Sequence, residues 1–142
     1  MCAAYIAEMG GSDEQAIRTA VESFLTAVGK YDIQALEKMV DPDASVGWAS
    51  LSDGSWTTST MSAGEWLDSV RATVDPTVYA EPVRDWTIHI DGGHLGFVRA
   101  DALLFVGEEA RRHNIDYFTL IKTNNEWKFL NLSYVGTPID FQ

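Results

Sequence analysis

The chain has 142 residues, a formal net charge of −11 at pH 7 and one cysteine, Cys2. Its length supports one domain with a substantial core. The acidic balance excludes nucleic acid and anionic membrane surfaces as natural partners, and a lone cysteine excludes an internal disulfide or a cysteine-based metal site.

The opening stretch, MCAAYIAEMGG, has neither a basic start nor a long apolar run, so it makes a poor secretion signal. Residues 1–11 are expected to form a flexible tail, or in part a short extra helix, ahead of a single domain over residues 12–142. The protein is accordingly expected to be cytoplasmic. No apolar run approaches the roughly 20 residues of a membrane helix.

Ser12-Asp13-Glu14-Gln15 has the spacing of a capping box. Ile17, Ala20, Val21, Phe24, Leu25 and Val28 then recur at helical spacing, and Gly29 is expected to end the helix as a left-handed residue. Asp32 caps a shorter helix that Pro42 stops. Ala44–Ala49 and Trp56–Met61 read as strands around a Ser52-Asp53-Gly54 turn. Ser62 and Glu65 form a second capping box, opening a helix with Trp66 and Leu67 inward and Asp75-Pro76 at its close.

The period then changes to two. Trp86, Ile88 and Ile90 alternate with polar residues up to a turn at Asp91-Gly92-Gly93, and Leu95–Val106 follows as a long strand. Ala110–Gly136 reads as two long strands joined at Thr123-Asn124-Asn125-Glu126, where the Asn pair tolerates the positive φ of a tight hairpin. Helices come first and an antiparallel meander follows, so the class is α+β. A curved sheet with helices on its concave face leaves one natural void, between the two.

Two stretches carry a family resemblance: Asp32-Ile33-Gln34-Ala35-Leu36-Glu37 running to Asp41-Pro42-Asp43-Ala44, and Asp116-Tyr117-Phe118-Thr119-Leu120-Ile121-Lys122 with Glu126-Trp127-Lys128-Phe129. From Ser12 to Val135 the chain resembles the NTF2-like (SnoaL-like) superfamily, and within it the branch labelled "putative lumazine-binding". The resemblance implies a cone: a curved mixed or antiparallel sheet with three N-terminal-side helices on its concave face. It also implies a homodimer through the outer sheet face. Members of such a superfamily include isomerases, dehydratases, cyclases, transport factors and binding modules, so the fold leaves the activity open.

Parity around the Asn124-Asn125 turn sets Trp127 opposite Lys122, Phe129 opposite Leu120, Asn131 opposite Phe118 and Ser133 opposite Asp116, all on one face. In the resembling family that face points into the cone. A symmetric turn at Gly107–Ala110 would add Phe97, Arg99, Asp101, Leu103 and Phe105 to it, leaving Val98, Ala100, Ala102 and Leu104 outside. The candidate ligand-binding residues are therefore Arg99, Asp101, Asp116, Phe118, Asn131 and Ser133, roofed by Trp48 and Trp66. Asp116 and Asp101 are the candidate catalytic bases, and Arg99 and Asp101 can equally pair with each other or with Asp116 as a buried ion network.

Three histidines with no helical pair make a metal site unexpected, and no metal or other cofactor is called for. Asn131 stands where a strand histidine would serve proton transfer. The leading expectation is a cofactor-free module that binds a small apolar or aromatic ligand. The alternatives are an isomerase-, dehydratase- or cyclase-type enzyme using an Asp base, and a dimeric protein-interaction module.

Overall fold

The computed structural model describes residues 2–141, with side chains from residue 12 onward. Among them are three helices, α1 (Cys2–Gly29), α2 (Ile33–Met39) and α3 (Ala63–Arg71). Six strands complete the fold: β1 (Val40–Ser52), β2 (Ser55–Ser62), β3 (Val83–Asp91), β4 (Leu95–Val106), β5 (Glu109–Thr123) and β6 (Glu126–Pro138). The sheet order is β2-β1-β6-β5-β4-β3, with β1 and β6 parallel and every other neighbouring pair antiparallel. The sheet stays open, and the helices pack on one face of it.

Local chemistry explains most element ends. Asp32 accepts from the Ala35 amide at 3.2 Å and Ser62 from the Glu65 amide at 3.1 Å, as their capping positions require. The hairpin turns place Asn124 at φ 52° and Asn125 at φ 64°. Pro42 lies within β1, at the start of which the pairing with β6 shifts register between Val40 and Ser45, so α2 ends earlier than expected, at Met39. α3 likewise ends at Arg71, short of Asp75-Pro76.

Two helix-end expectations are corrected. α1 runs through Ser12, so that residue caps nothing; Gln15 donates instead to Thr19 Oγ1, and the buried Asp13 receives Lys122 Nζ at 2.9 Å. Gly29 does not take a positive φ; the left-handed residue is Tyr31, at φ 56°. What requires glycine at 29 is space, because a Cβ there would meet the Tyr79 carbonyl oxygen at 2.1 Å. Residues 2–11, expected as a flexible tail or in part a short extra helix, are the N-terminal part of α1; their side chains lie outside those described.

The core sits between α1 and the inner sheet face, where Ile17, Val21, Leu36, Val98 and Leu120 are fully buried. Phe24 is its aromatic centre, with ring centroids 4.9 Å from Phe129, 5.7 Å from Phe118 and 5.8 Å from Trp66. Such ring pairs add stability beyond their buried area. Between α3 and β3 the chain crosses the open end of the cone as an irregular strap, residues 72–82. Backbone bonds tie it down: Tyr79 N–H to Gly29 O at 3.1 Å, and a reciprocal pair between Ala80 and Phe105 at 2.9 and 2.8 Å.

Candidate functional site

A cavity of about 230 Å³ opens between the helices, the strap and the inner sheet face. The helices contribute Phe24, Leu25 and Val28 from α1 and Trp66 and Val70 from α3. Val46, Leu104, Phe118 and Leu132 supply the apolar part of the sheet wall. The polar side chains are Asn114 and Asp116 on β5, Tyr134 on β6, and Tyr79 and Glu81 on the strap. Trp48 stacks on Tyr134 with centroids 5.9 Å apart, buttressing the wall from β1.

The feature that stands out is a pair of acids. Asn114 Nδ2 donates to Glu81 Oε1 at 2.9 Å, which fixes the Glu81 carboxylate on the strap. Counted as ionised groups, Glu81 Oε2 and Asp116 Oδ2 are both buried without a donor. A proton on Asp116 removes the difficulty, because its hydroxyl can then donate to Glu81. Burial first, then the hydrogen bond and charge of Glu81, push the Asp116 carboxyl far above the usual carboxylate range. Two carboxylates this close cannot both stay ionised in a site from which water is largely removed.

Two phenols flank the pair. Burial, followed by Glu81, raises the Tyr79 pKa, and burial raises that of Tyr134, with Glu81 and Asp116 adding to the shift and Arg112 opposing it. Arg112 itself is engaged elsewhere: it donates to Leu51 O and to Ser50 Oγ, both at 2.8 Å.

Of the residues singled out in the sequence, Asp116, Phe118 and Trp66 present their side chains to this cavity. Ser133 borders it, but its side chain is on the outer face, where its hydroxyl donates to Asn131 Oδ1 at 3.1 Å, and Trp48 stands behind Tyr134 rather than in the roof. Arg99, Asp101 and Asn131 do not line it. Two bulges reverse the parity on which they were placed. The β4–β5 turn is a two-residue one at Gly107-Glu108, and Arg111 is an extra residue on β5, so Ala100 rather than Asp101 lies opposite Asp116. Val98, Ala100 and Ala102 are consequently the buried inner set, and Phe97, Arg99 and Asp101 lie on the outer face.

On β6 the extra residue is Leu130. Up to Phe129 the pairing is as expected, but beyond it Tyr134 lies opposite Asp116, and Ser133 opposite Tyr117. Leu132 and Tyr134 thereby turn inward. Asn131 turns outward, where its Nδ2 donates to Ser45 Oγ at 2.9 Å.

Asp101 does join an ion network, with partners other than those expected. It receives Arg84 Nε at 2.9 Å and lies 2.7 Å from His113 Nε2. Partial burial raises its pKa, but the hydrogen bonds from His113 and Arg84 outweigh this and leave it below the usual range. Glu81, Tyr79, Asn114 and Tyr134 were missed. The strap has no periodicity to read, and the only cue there is that Glu81 sits two residues after Tyr79, next to Pro82.

A wider groove of about 920 Å³ lies at the other end of the molecule, between α1, α2 and the Thr123–Glu126 turn. Lys128 and Glu126 in its wall already pair at 3.2 Å. Among the described residues no group of three His, Cys, Asp or Glu is placed to hold a metal ion, and no helix is long and apolar enough to cross a membrane.

Three helices on an open six-stranded mixed sheet, with the cavity between them, define an NTF2-like α+β protein. The chain belongs to the family described as "Putative lumazine-binding", whose model matches residues 12–135. No curated protein matches the sequence.

Solved structures that resemble it do so at low identity. An NTF2-like protein of unknown function from Shewanella baltica OS155 is 17% identical, with a TM-score of 0.65 over 89% of this chain and 95% of that one. A protein from Novosphingobium aromaticivorans described as a putative scytalone dehydratase is 13% identical, with a TM-score of 0.69 over 96% and 99%. A putative dehydratase of the NTF2-like family from Streptomyces avermitilis is 18% identical, with a TM-score of 0.64 over 92% and 99%. At such identities the likeness establishes the fold alone.

Proposed function

We propose that this protein binds a small, largely apolar or aromatic molecule in the cavity, with the Asp116–Glu81 pair as its polar anchor, and that no cofactor takes part. The observation carrying this reading is a hollow walled by Phe24, Trp66, Phe118 and Leu132 that contains two buried carboxyl oxygens without donors. An apolar pocket with a few convergent polar groups and a perturbed acid is the usual signature of a ligand site. The family's description points the same way. The volume is informative as well. Cavities of about 150 Å³ take benzene, and drug-sized ligands need roughly 300–1,000 Å³, so about 230 Å³ suits one or two fused rings.

A second reading is favoured by the same acid. With its proton retained at neutral pH, Asp116 is poised as a general acid beside Tyr79, as a cofactor-independent lyase or isomerase would require. Two of the similar structures described above are called putative dehydratases, which is in keeping with it. Asp101 drops out as a base, since it is on the opposite face.

The protein acts as a homodimer in this proposal, in the cytoplasm, with the outer sheet face as interface. There Phe97 is 38% exposed, stacks against His89 at 6.1 Å and lies 6.1 Å from Tyr117, with Leu95 exposed nearby.

The test is an NMR titration with one- and two-ring aromatic compounds. Binding is expected to move the signals of Trp66, Phe118 and Asp116 together, and Leu104→Trp, which occupies part of the cavity, is expected to weaken it in a chain that keeps its fold by circular dichroism. Failure of every such compound to move those three signals would sink the ligand reading.

A further inference from the structure

The acid pair also constrains the charge of the ligand; this inference deepens the cavity reading and rests on it. Among the described residues that line the cavity none is Lys, Arg or His, and the two with formal charge are Glu81 and Asp116. Asp116 is only 4% exposed, and its Oδ2 lacks a donor, as does Glu81 Oε2. Arg112, whose charge reaches Tyr134, spends its guanidinium donors on Leu51 O and Ser50 Oγ.

A carboxylate or phosphate entering this space would meet two acids and no free cation, and an unpaired buried charge is costly. A hydrocarbon would leave the two oxygens as they are. A molecule that carries N–H donors satisfies both, through charge-assisted hydrogen bonds.

We infer that the ligand is a one- or two-ring molecule bearing a basic amine, which it presents to Asp116 and Glu81, and that anionic analogues are rejected. The proton balance is simple. When the free amine arrives, the O–H bond of Asp116 breaks and its proton forms an N–H bond with the nitrogen lone pair, leaving an ammonium between two carboxylates. When the amine arrives already protonated, the shared proton leaves to solvent instead. In both cases the net charge of the cavity is the same before and after.

The experiment uses three ligands of one shape, namely indane, 2-aminoindane and indane-2-carboxylate. Each is titrated into the full chain by calorimetry, with the Phe118 and Trp66 NMR signals as a check on location. The amine is expected to bind about ten-fold or more tightly than indane, and the carboxylate more weakly than either. Glu81→Gln is expected to lower the amine-to-indane ratio several-fold while indane still binds. Asp53→Asn, in the exposed β1–β2 turn, removes the same formal charge far from the cavity and is expected to leave the ratio unchanged.

An amine that binds no better than indane, a carboxylate that binds best, or a ratio that Asp53→Asn lowers as much as Glu81→Gln would overturn the inference and leave the cavity reading standing. If none of the three ligands moves the cavity signals, the cavity reading fails and this inference falls with it.

Discussion

Asp116 Oδ2 and Glu81 Oε2 are buried in the same cavity, and neither has a donor unless one of the two acids holds a proton. The consequence for stability has an unusual sign. An aspartate whose folded pKa lies above its unfolded value binds more protons folded than unfolded. Stability from this group is therefore highest below pH ~4 and declines as pH rises toward the folded pKa. Asp116→Asn offers Glu81 a permanent N–H donor without this penalty. Urea melts at pH 4 and pH 7 are expected to show the variant gaining roughly 1–4 kcal/mol on the wild type between the two pH values. Parallel curves would contradict the shared proton.

Gly29→Ala places a methyl group 2.1 Å from the Tyr79 carbonyl oxygen. The strap must shift, and the Tyr79–Gly29 backbone bond weakens with it. A loss of about 1–3 kcal/mol is expected by chemical denaturation, as for other overpacked sites. Hydrogen exchange is expected to speed up at Tyr79 and Ala80 before it does so in β5. Unchanged exchange in the strap would show that Gly29 is not its anchor.

Phe24→Ala removes the ring that touches Phe118, Phe129 and Trp66. A buried Phe replaced by Ala costs about 3–5 kcal/mol, and this one also borders the cavity, which it enlarges. Denaturant midpoints read the cost. A loss below about 1 kcal/mol would mean that the aromatic cluster is not the organising core.

Phe97→Lys puts a charge in the centre of the proposed dimer face while leaving the inner face untouched. Light scattering is expected to give a dimer for the wild type and a monomer for the variant, with ligand binding retained. A wild type that scatters as a monomer at high concentration would refute the interface.

Most of the fold was legible because its signals are local. Capping residues at Asp32 and Ser62, the Asn124-Asn125 turn and the helical spacing from Ile17 to Val28 each depend on near neighbours. The cavity lining depends on strand parity, which a single extra residue inverts. Leu130 and Arg111 are ordinary strand residues with no Gly or Pro to mark them as bulges, so nothing in the sequence announced that Asn131 and Asp101 would turn outward. Asp116 survived because the bulges lie beyond it on β6 and before it on β5. Glu81 and Tyr79 were invisible for another reason. They reach the site from an irregular strap whose position is set by backbone bonds to Gly29 and Phe105, residues about 25–50 positions away in sequence.

The most direct test of the acid pair is the ¹³C NMR titration of the Asp116 side-chain carboxyl. The signal is expected at the protonated position at pH 7, moving only above the neutral range, with its chemical shift sensitive to Glu81→Gln. A carboxyl that titrates near pH 4, as an exposed aspartate does, would contradict the shared proton and, with it, the anchor on which the ligand site is built.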